Sequence, residues 1–243
     1  MLCRRGYPRP ESGLLRLPLL LVLLVAAGQA AAQVSGGLAA LSDYRFRGIS
    51  LSDRLPALQG WLAYDHPSGV YAGVLVSTIR IYGVEPDLAA EVYGGYAYAL
   101  SPRAALDATV SRYLYPESSV HGSYDFNDVA LGASLDRMSA RVHFSDDYFG
   151  SGYRAVYVEL NTALPLYDQL SLVGHFGELG RSGGGAYPPT PRFQADAKLG
   201  LVWTVAGFAL ELSVVGTDIP VSSCPLPNRS CAAGVVLAVS REF

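Results

Sequence analysis

The chain has 243 residues, half of them hydrophobic, with 18 Lys and Arg against 21 Asp and Glu and a formal net charge of −3. That balance excludes a nucleic-acid partner, because a phosphate footprint needs a basic face. The four histidines, His66, His121, His143 and His175, are scattered along the chain, so neither a metal site nor a cofactor is expected.

In chain order, the first signal is one for export. Arg4, Arg5, Arg9 and Arg16 lie in and around the start of an apolar run over 17–27 that is broken only by Pro18, and Ala30-Ala31-Ala32 fits an A-x-A cleavage site. This pattern predicts a cleaved signal peptide over 1–32 and a mature start near Gln33. The run is shorter than the roughly 20 residues that cross a bilayer as a helix. Cys3 falls in the discarded segment and is no lipid attachment site. Loss of 1–32 removes four Arg and one Glu and leaves a net charge of about −6.

The remainder, 33–243, reads as one domain of short period-two segments. In the first, Leu38, Ala40, Tyr44 and Phe46 oppose Asp43, Arg45 and Arg47. In the fourth, Leu88, Ala90, Val92, Tyr96 and Tyr98 oppose Asp87 and Glu91. Arg112 falls on the outward phase of the fifth. The sixth, over 124–135, is poorly phased around Asn127-Asp128 and predicts a bulge there. The seventh sets Arg141, His143 and Ser145 against Val142 and Phe144, and the eighth sets Val156, Val158 and Leu160 against Glu159 and Asn161. In the tenth, Phe193, Leu199, Leu201 and Trp203 oppose Asp196 and Lys198; in the eleventh, Phe208, Leu210 and Leu212 oppose Glu211. The last segment carries Val235, Leu237, Val239 and Phe243 on one phase and runs to the final residue.

Turn signals at 66–69, 100–103, 136–138, 165–169 and 204–207 are short. The polar stretches at 49–56, 80–86, 116–123, 146–152, 180–192 and 218–229 are longer, and the two kinds alternate. Strict alternation of tight turns and long loops predicts an all-β fold: a transmembrane antiparallel up-and-down β-barrel of about 12 strands, with the turns periplasmic and the loops outside. A soluble sandwich has no reason to alternate in this way. Two aromatic girdles are expected at the membrane interfaces. Tyr64, Tyr98, Trp203, Phe208 and Phe243 form the one at the turn end, and Tyr44, Phe46, Tyr148, Phe176 and Phe193 the one at the loop end. Phe243 closes the outward phase of the last strand and is expected to be the assembly signal read by the barrel-assembly machinery. Cys224 and Cys231, an even pair in an exported chain, read as a disulfide.

The segment Ser42-Asp43-Tyr44-Arg45-Phe46-Arg47-Gly48-Ile49-Ser50-Leu51-Ser52-Asp53 resembles the opening motif of the TorF-like porins of Gram-negative bacteria, S-D-Y-x-F-R-G-x-S-x-S-D. Pro56-Ala57-Leu58-Gln59-Gly60 and Ser68-Gly69-Val70-Tyr71-Ala72-Gly73 follow at the family's spacing. Val74-Leu75-Val76-Ser77 stands where the family leads one to expect a Trp. The resemblance implies a barrel in the outer membrane of a Gram-negative bacterium, in contact with outer-membrane lipid and lipopolysaccharide.

The inward phases collect Asp43, Arg45, Arg47, Glu91, Asp107, Arg141, Glu159, Asp196, Lys198 and Glu211 as expected pore-lining residues. Carboxylates outnumber cations among them, which predicts a channel for small hydrophilic solutes with a weak cation preference. The alternative is a barrel whose lumen is filled by its own side chains and which serves a structural or adhesive role. A third reading, a lipid hydrolase using His143 and Ser145 with Glu159 as orienter, is weakened by phase. Those residues point to the lumen, whereas a lipid hydrolase must present them to the bilayer, so no enzymatic activity is expected.

Overall fold

The computed structural model describes residues 33–81, 87–115, 124–183, 192–226 and 229–243. The expected signal peptide over 1–32, His121 with the loop 116–123, and the stretch 184–191 lie outside these residues.

Alternating side chains and short turns build a closed antiparallel barrel of twelve strands. They are β1 (Gln33–Leu41), β4 (Ala57–Asp65), β5 (Val70–Ile79), β6 (Asp87–Ser101), β7 (Ala104–Leu114), β8 (Phe126–Leu135), β9 (Met138–Ser145), β10 (Arg154–Tyr167), β11 (Leu170–Ser182), β12 (Phe193–Val205), β13 (Phe208–Thr217) and β14 (Gly234–Glu242). From β4 to β14 each strand pairs with its chain neighbours. β1 closes the ring by pairing with both β14 and β4. No sheet edge is left open, as strands facing lipid require.

The outer face is apolar. Leu38, Leu131 and Leu199 are 65%, 66% and 62% exposed. A belt of such residues all round the barrel is untenable in water and suits lipid, so the barrel is transmembrane. On the same strands the other phase turns inward: Asp128 on β8 and Gln194 and Asp196 on β12 are buried.

The tight turns sit at one end. At 206–207, Ala206 (φ 50°) and Gly207 (φ 79°) adopt the left-handed pair that a two-residue hairpin demands. At that same end the ladder slips between Ala99 and Ser101 and between Pro165 and Tyr167. The bulge expected near Asn127-Asp128 is absent: β8 pairs with β7 and β9 without a shift. The segment looked misphased because Phe126 and Asp128 both point into the barrel, where a large aromatic and a carboxylate share one buried face.

The first strand ends sooner than the sequence pattern predicts. β1 leaves the wall after Leu41, its exit pinned by the Ser42 amide donating to the Leu237 carbonyl at 2.8 Å. The chain then dips into the lumen as a small hairpin, β2 (Arg45–Phe46) and β3 (Ile49–Ser50), turning through Arg47 (φ 48°) and Gly48 (φ 78°). It rejoins the wall at Ala57, which pairs with Leu41.

Three girdle assignments are corrected by this path. Tyr44 and Phe46 face protein inside the barrel, and Tyr148 is buried on a short 3₁₀ turn (Tyr148–Gly150). Once the chain has left the wall, both phases of its period-two pattern meet the interior. Together with Tyr113, Tyr115, Phe126, Phe149 and Tyr157 these rings fill the loop end of the barrel, Tyr113 stacking on Phe126 at 4.5 Å between centroids. Tyr64, Tyr98, Phe176, Phe193, Trp203, Phe208 and Phe243 do lie exposed.

Candidate functional site

Below the ring cluster the lumen holds a cavity of about 890 Å³ that reaches Asp65, the last residue of β4 beside the turn at 66–69. The ten charged residues expected to line the pore all line it: Asp43, Arg45, Arg47, Glu91, Asp107, Arg141, Glu159, Asp196, Lys198 and Glu211; Asp87, read on the same phase as Glu91, is exposed at the start of β6 instead. Seven of the ten come from barrel strands. Asp43, Arg45 and Arg47 come from the inserted segment, so they stand in the lumen rather than on its wall.

Strand register sorts the wall residues into levels. Asp107, Gly132, Arg141, Glu159, Gly177 and Asp196 are consecutive ladder partners from β7 to β12. The two glycines decide how the others lie. A Cβ on Gly132 would collide with the Asp107 carboxylate, and one on Gly177 with the Tyr157 hydroxyl. Arg141 therefore reaches across Gly132 to Asp107, Nη2 to Oδ2, at 2.9 Å. Tyr157 lies across Gly177 and donates to Asp196 Oδ2 at 3.1 Å. Tyr71 likewise occupies the space over Gly95 and donates to Asp107 at 3.3 Å. Long polar side chains laid along the wall in this way leave room for the cavity.

Each cation has a carboxylate partner. Arg45 pairs with Asp43 at 2.8 Å, Arg47 with Asp128 at 2.9 Å and Lys198 with Glu211 at 3.1 Å. His175 Nε2 is 2.9 Å from Asp196 Oδ1, and its Nδ1 is 2.7 Å from Asn161 Oδ1. Glu91 stands across the ladder from Tyr113. With Asp65 added, the cavity is lined by more carboxylates than Arg and Lys side chains.

Arg47 carries the heaviest contact load. Its guanidinium packs over Tyr157 at 4.2 Å, Phe46 at 5.0 Å and Tyr148 at 5.1 Å. Buried though it is, the guanidinium keeps its charge against the Asp128 carboxylate and the ring faces of Tyr157, Phe46 and Tyr148. Tyr44 is pushed up to about 12 by burial and, secondarily, by Glu91, and stays neutral.

The hydrolase geometry does not assemble. His143 Nδ1 is 3.3 Å from Asp128 Oδ1 and Nε2 is 3.6 Å from Glu159 Oε1, so both ring nitrogens face carboxylates. Ser145 is buried and its Oγ makes no hydrogen bond among the described residues. A nucleophile and base within hydrogen-bond reach are the minimum for that chemistry.

Sequence reasoning overlooked Tyr71, Asp128, Tyr157 and His175. A readable signal was the glycine on the inward phase: Gly95 is the ladder partner of Tyr71, and a strand glycine marks a site where another group comes close.

The disulfide Cys224–Cys231 is formed in the last long loop. Cys231 and Ser230 are buried, and the Ser230 carbonyl accepts from the Ser50 amide of the hairpin at 2.9 Å.

Among solved structures, the barrel is similar to the NanC porin (TM-score 0.52, 11% identity, 88% of this chain and 99% of that one). It is also similar to the KdgM porin (TM-score 0.51, 9% identity, 86% and 99%). At such identities the likeness concerns the fold. No curated protein sequence matches the chain. A family model described as a bacterial protein of unknown function, Gcw_chp, matches residues 25–243. Because that match spans the whole barrel, the chain belongs to the Gcw_chp family.

Proposed function

We propose that the protein is an outer-membrane channel of a Gram-negative bacterium that passes small hydrophilic solutes with a weak preference for cations. The observation that carries this reading is the polar cavity of about 890 Å³ inside a closed barrel whose outer face is apolar. Carboxylates in excess over Arg and Lys, enclosed by a low-dielectric wall, focus a negative field along the passage. The opening motif's resemblance to TorF-like porins supports the outer-membrane location, as does a barrel fold shared with NanC and KdgM porins. In this reading the partners are outer-membrane lipid and lipopolysaccharide, the solutes themselves and the barrel-assembly machinery.

A second reading, a structural barrel with a closed lumen, is favoured by the hairpin and the ring cluster at the loop end. Ion conductance of the purified, folded chain in planar bilayers separates the two. Steps of conductance support the channel; a silent bilayer containing folded, inserted protein supports the closed barrel.

A further inference from the structure

The hairpin in the lumen is not part of the wall. β1 pairs directly with β4 and with β14, so its departure from the lumen breaks no hydrogen bond of the barrel ladder. It is internally tied instead. Asp43 accepts from Arg45 Nε at 2.8 Å, Ser50 Oγ at 2.6 Å and Ser52 Oγ at 3.3 Å. The Tyr44 amide donates to Ser52 Oγ at 2.9 Å, the Leu51 amide to the Tyr44 carbonyl at 2.8 Å and the Arg54 amide to Ser50 Oγ at 2.8 Å. A segment cross-linked this densely to itself moves as one body. Arg47, Asp53 and Arg54 hold positive φ values of 48°, 57° and 60°; such backbone persists only where its surroundings enforce it.

Besides the rings packed on Arg47 and Phe46, two sets of hydrogen bonds do the enforcing. One is to the wall: Arg47 to Asp128, Gln194 Nε2 donating to the Arg47 carbonyl at 3.2 Å, and the Arg80 amide donating to the Leu51 carbonyl at 2.8 Å. The other is to the last long loop. The Ser50 amide donates to the Ser230 carbonyl at 2.9 Å, and Arg45 Nη1 donates to the Ala232 carbonyl, also at 2.9 Å. Both acceptors flank Cys231, and the Cys224–Cys231 bond fixes their position.

We propose that the hairpin over 43–54 is a gate of the channel, and that the Ser230–Ala232 stretch, anchored by the Cys224–Cys231 bond, is the clasp that holds it in the lumen. This rests on the channel reading above. Opening the disulfide slackens the chain that presents the Ser230 and Ala232 carbonyls, the hairpin loses that hydrogen-bonded support, and the loop end of the lumen widens.

The test compares oxidised full-length protein in lipid bilayers, the same protein after addition of reductant, and the Cys224→Ser/Cys231→Ser variant. Hydrogen exchange of the peptide covering 42–56 reads the hairpin directly, without reference to transport. The expected result is exchange at least about tenfold faster on reduction and in the variant, with barrel-strand peptides unchanged, together with larger single-channel conductance. Reduction of folded wild-type protein keeps the test valid if the variant does not fold. Unchanged exchange of 42–56 on reduction overturns the proposal. Faster exchange with no conductance in either state upholds the clasp and overturns the channel reading.

Discussion

At the scale of single residues, room decides which side chains lie along the wall and which stand in the passage. Gly177 leaves space for Tyr157, and Tyr157 fills it by bonding Asp196. A branched side chain there has no space, so Gly177→Val displaces the Tyr157 ring toward the centre. The expected outcome is lower single-channel conductance from protein whose circular dichroism matches wild type. The buried pair Arg47–Asp128, with side chains 6% and 2% exposed, makes a different demand. Removing one partner strands the other charge, which costs on the order of 3–5 kcal/mol. Asp128→Asn is therefore expected to lower the urea midpoint at which the folded, heat-modifiable band is lost, and an unchanged midpoint would show the pair to be dispensable. In the proposed channel, selectivity is also set at this scale. Glu211→Gln leaves Lys198 without its carboxylate, and Glu91→Gln removes a lumenal negative charge. Each is expected to reduce cation preference, whereas Arg45→Ala increases it. Reversal potentials in a salt gradient report all three signs.

At the scale of elements, closure and clasp follow from pairing. β14 closes the barrel against β1. At its end the Gly36 amide donates to the Phe243 carbonyl at 3.1 Å, and the Phe243 amide donates back to the Gly36 carbonyl at 2.9 Å. Deleting Phe243 removes both bonds and an exposed outward ring, and is expected to leave degraded or aggregated chain instead of folded barrel in outer-membrane fractions. Normal yields would relocate the assembly signal. The disulfide closes a loop with a sequence separation of 7 and should contribute about 2–3 kcal/mol of local order. Denatured, unreduced protein is accordingly expected to take up no alkylating reagent on Cys224 or Cys231. The elements also show where the sequence was readable. β12 alternates without a fault from Phe193 to Trp203 because one phase meets lipid and the other the lumen. Tyr44 and Phe46 continue the same alternation, yet nothing in a period-two pattern marks the point at which a strand leaves its sheet. That point is set by Ser42 bonding Leu237, nearly two hundred residues away, and by ion pairs such as Arg47 with Asp128.

At the scale of the molecule, the alternation of short and long connections was enough to predict a transmembrane barrel of twelve strands. The inward charges were legible because a charge in mid-strand is tolerated only on the lumenal phase; Arg112, on the outward phase, lies near the loop end, where it pairs with Asp125 at 2.9 Å. How they pair was not, since Arg141 reaches Asp107 across an intervening strand and Arg47 reaches Asp128 from a segment outside the wall. The narrowing of the loop end by the hairpin and its rings was hidden for the same reason. Together these features describe a polar lumen that reaches Asp65 beside the turn at 66–69 and is narrowed at the loop end. Electrical recording of full-length protein in planar bilayers under a salt gradient, with folding and insertion verified separately by heat-modifiability, tests the proposed channel most directly. The expected result is small conductance steps and a reversal potential on the cation-selective side that shrinks as ionic strength rises, because salt screens the lumenal carboxylates. A reversal potential on the anion side, or no conductance from protein shown to be folded and inserted, would contradict it.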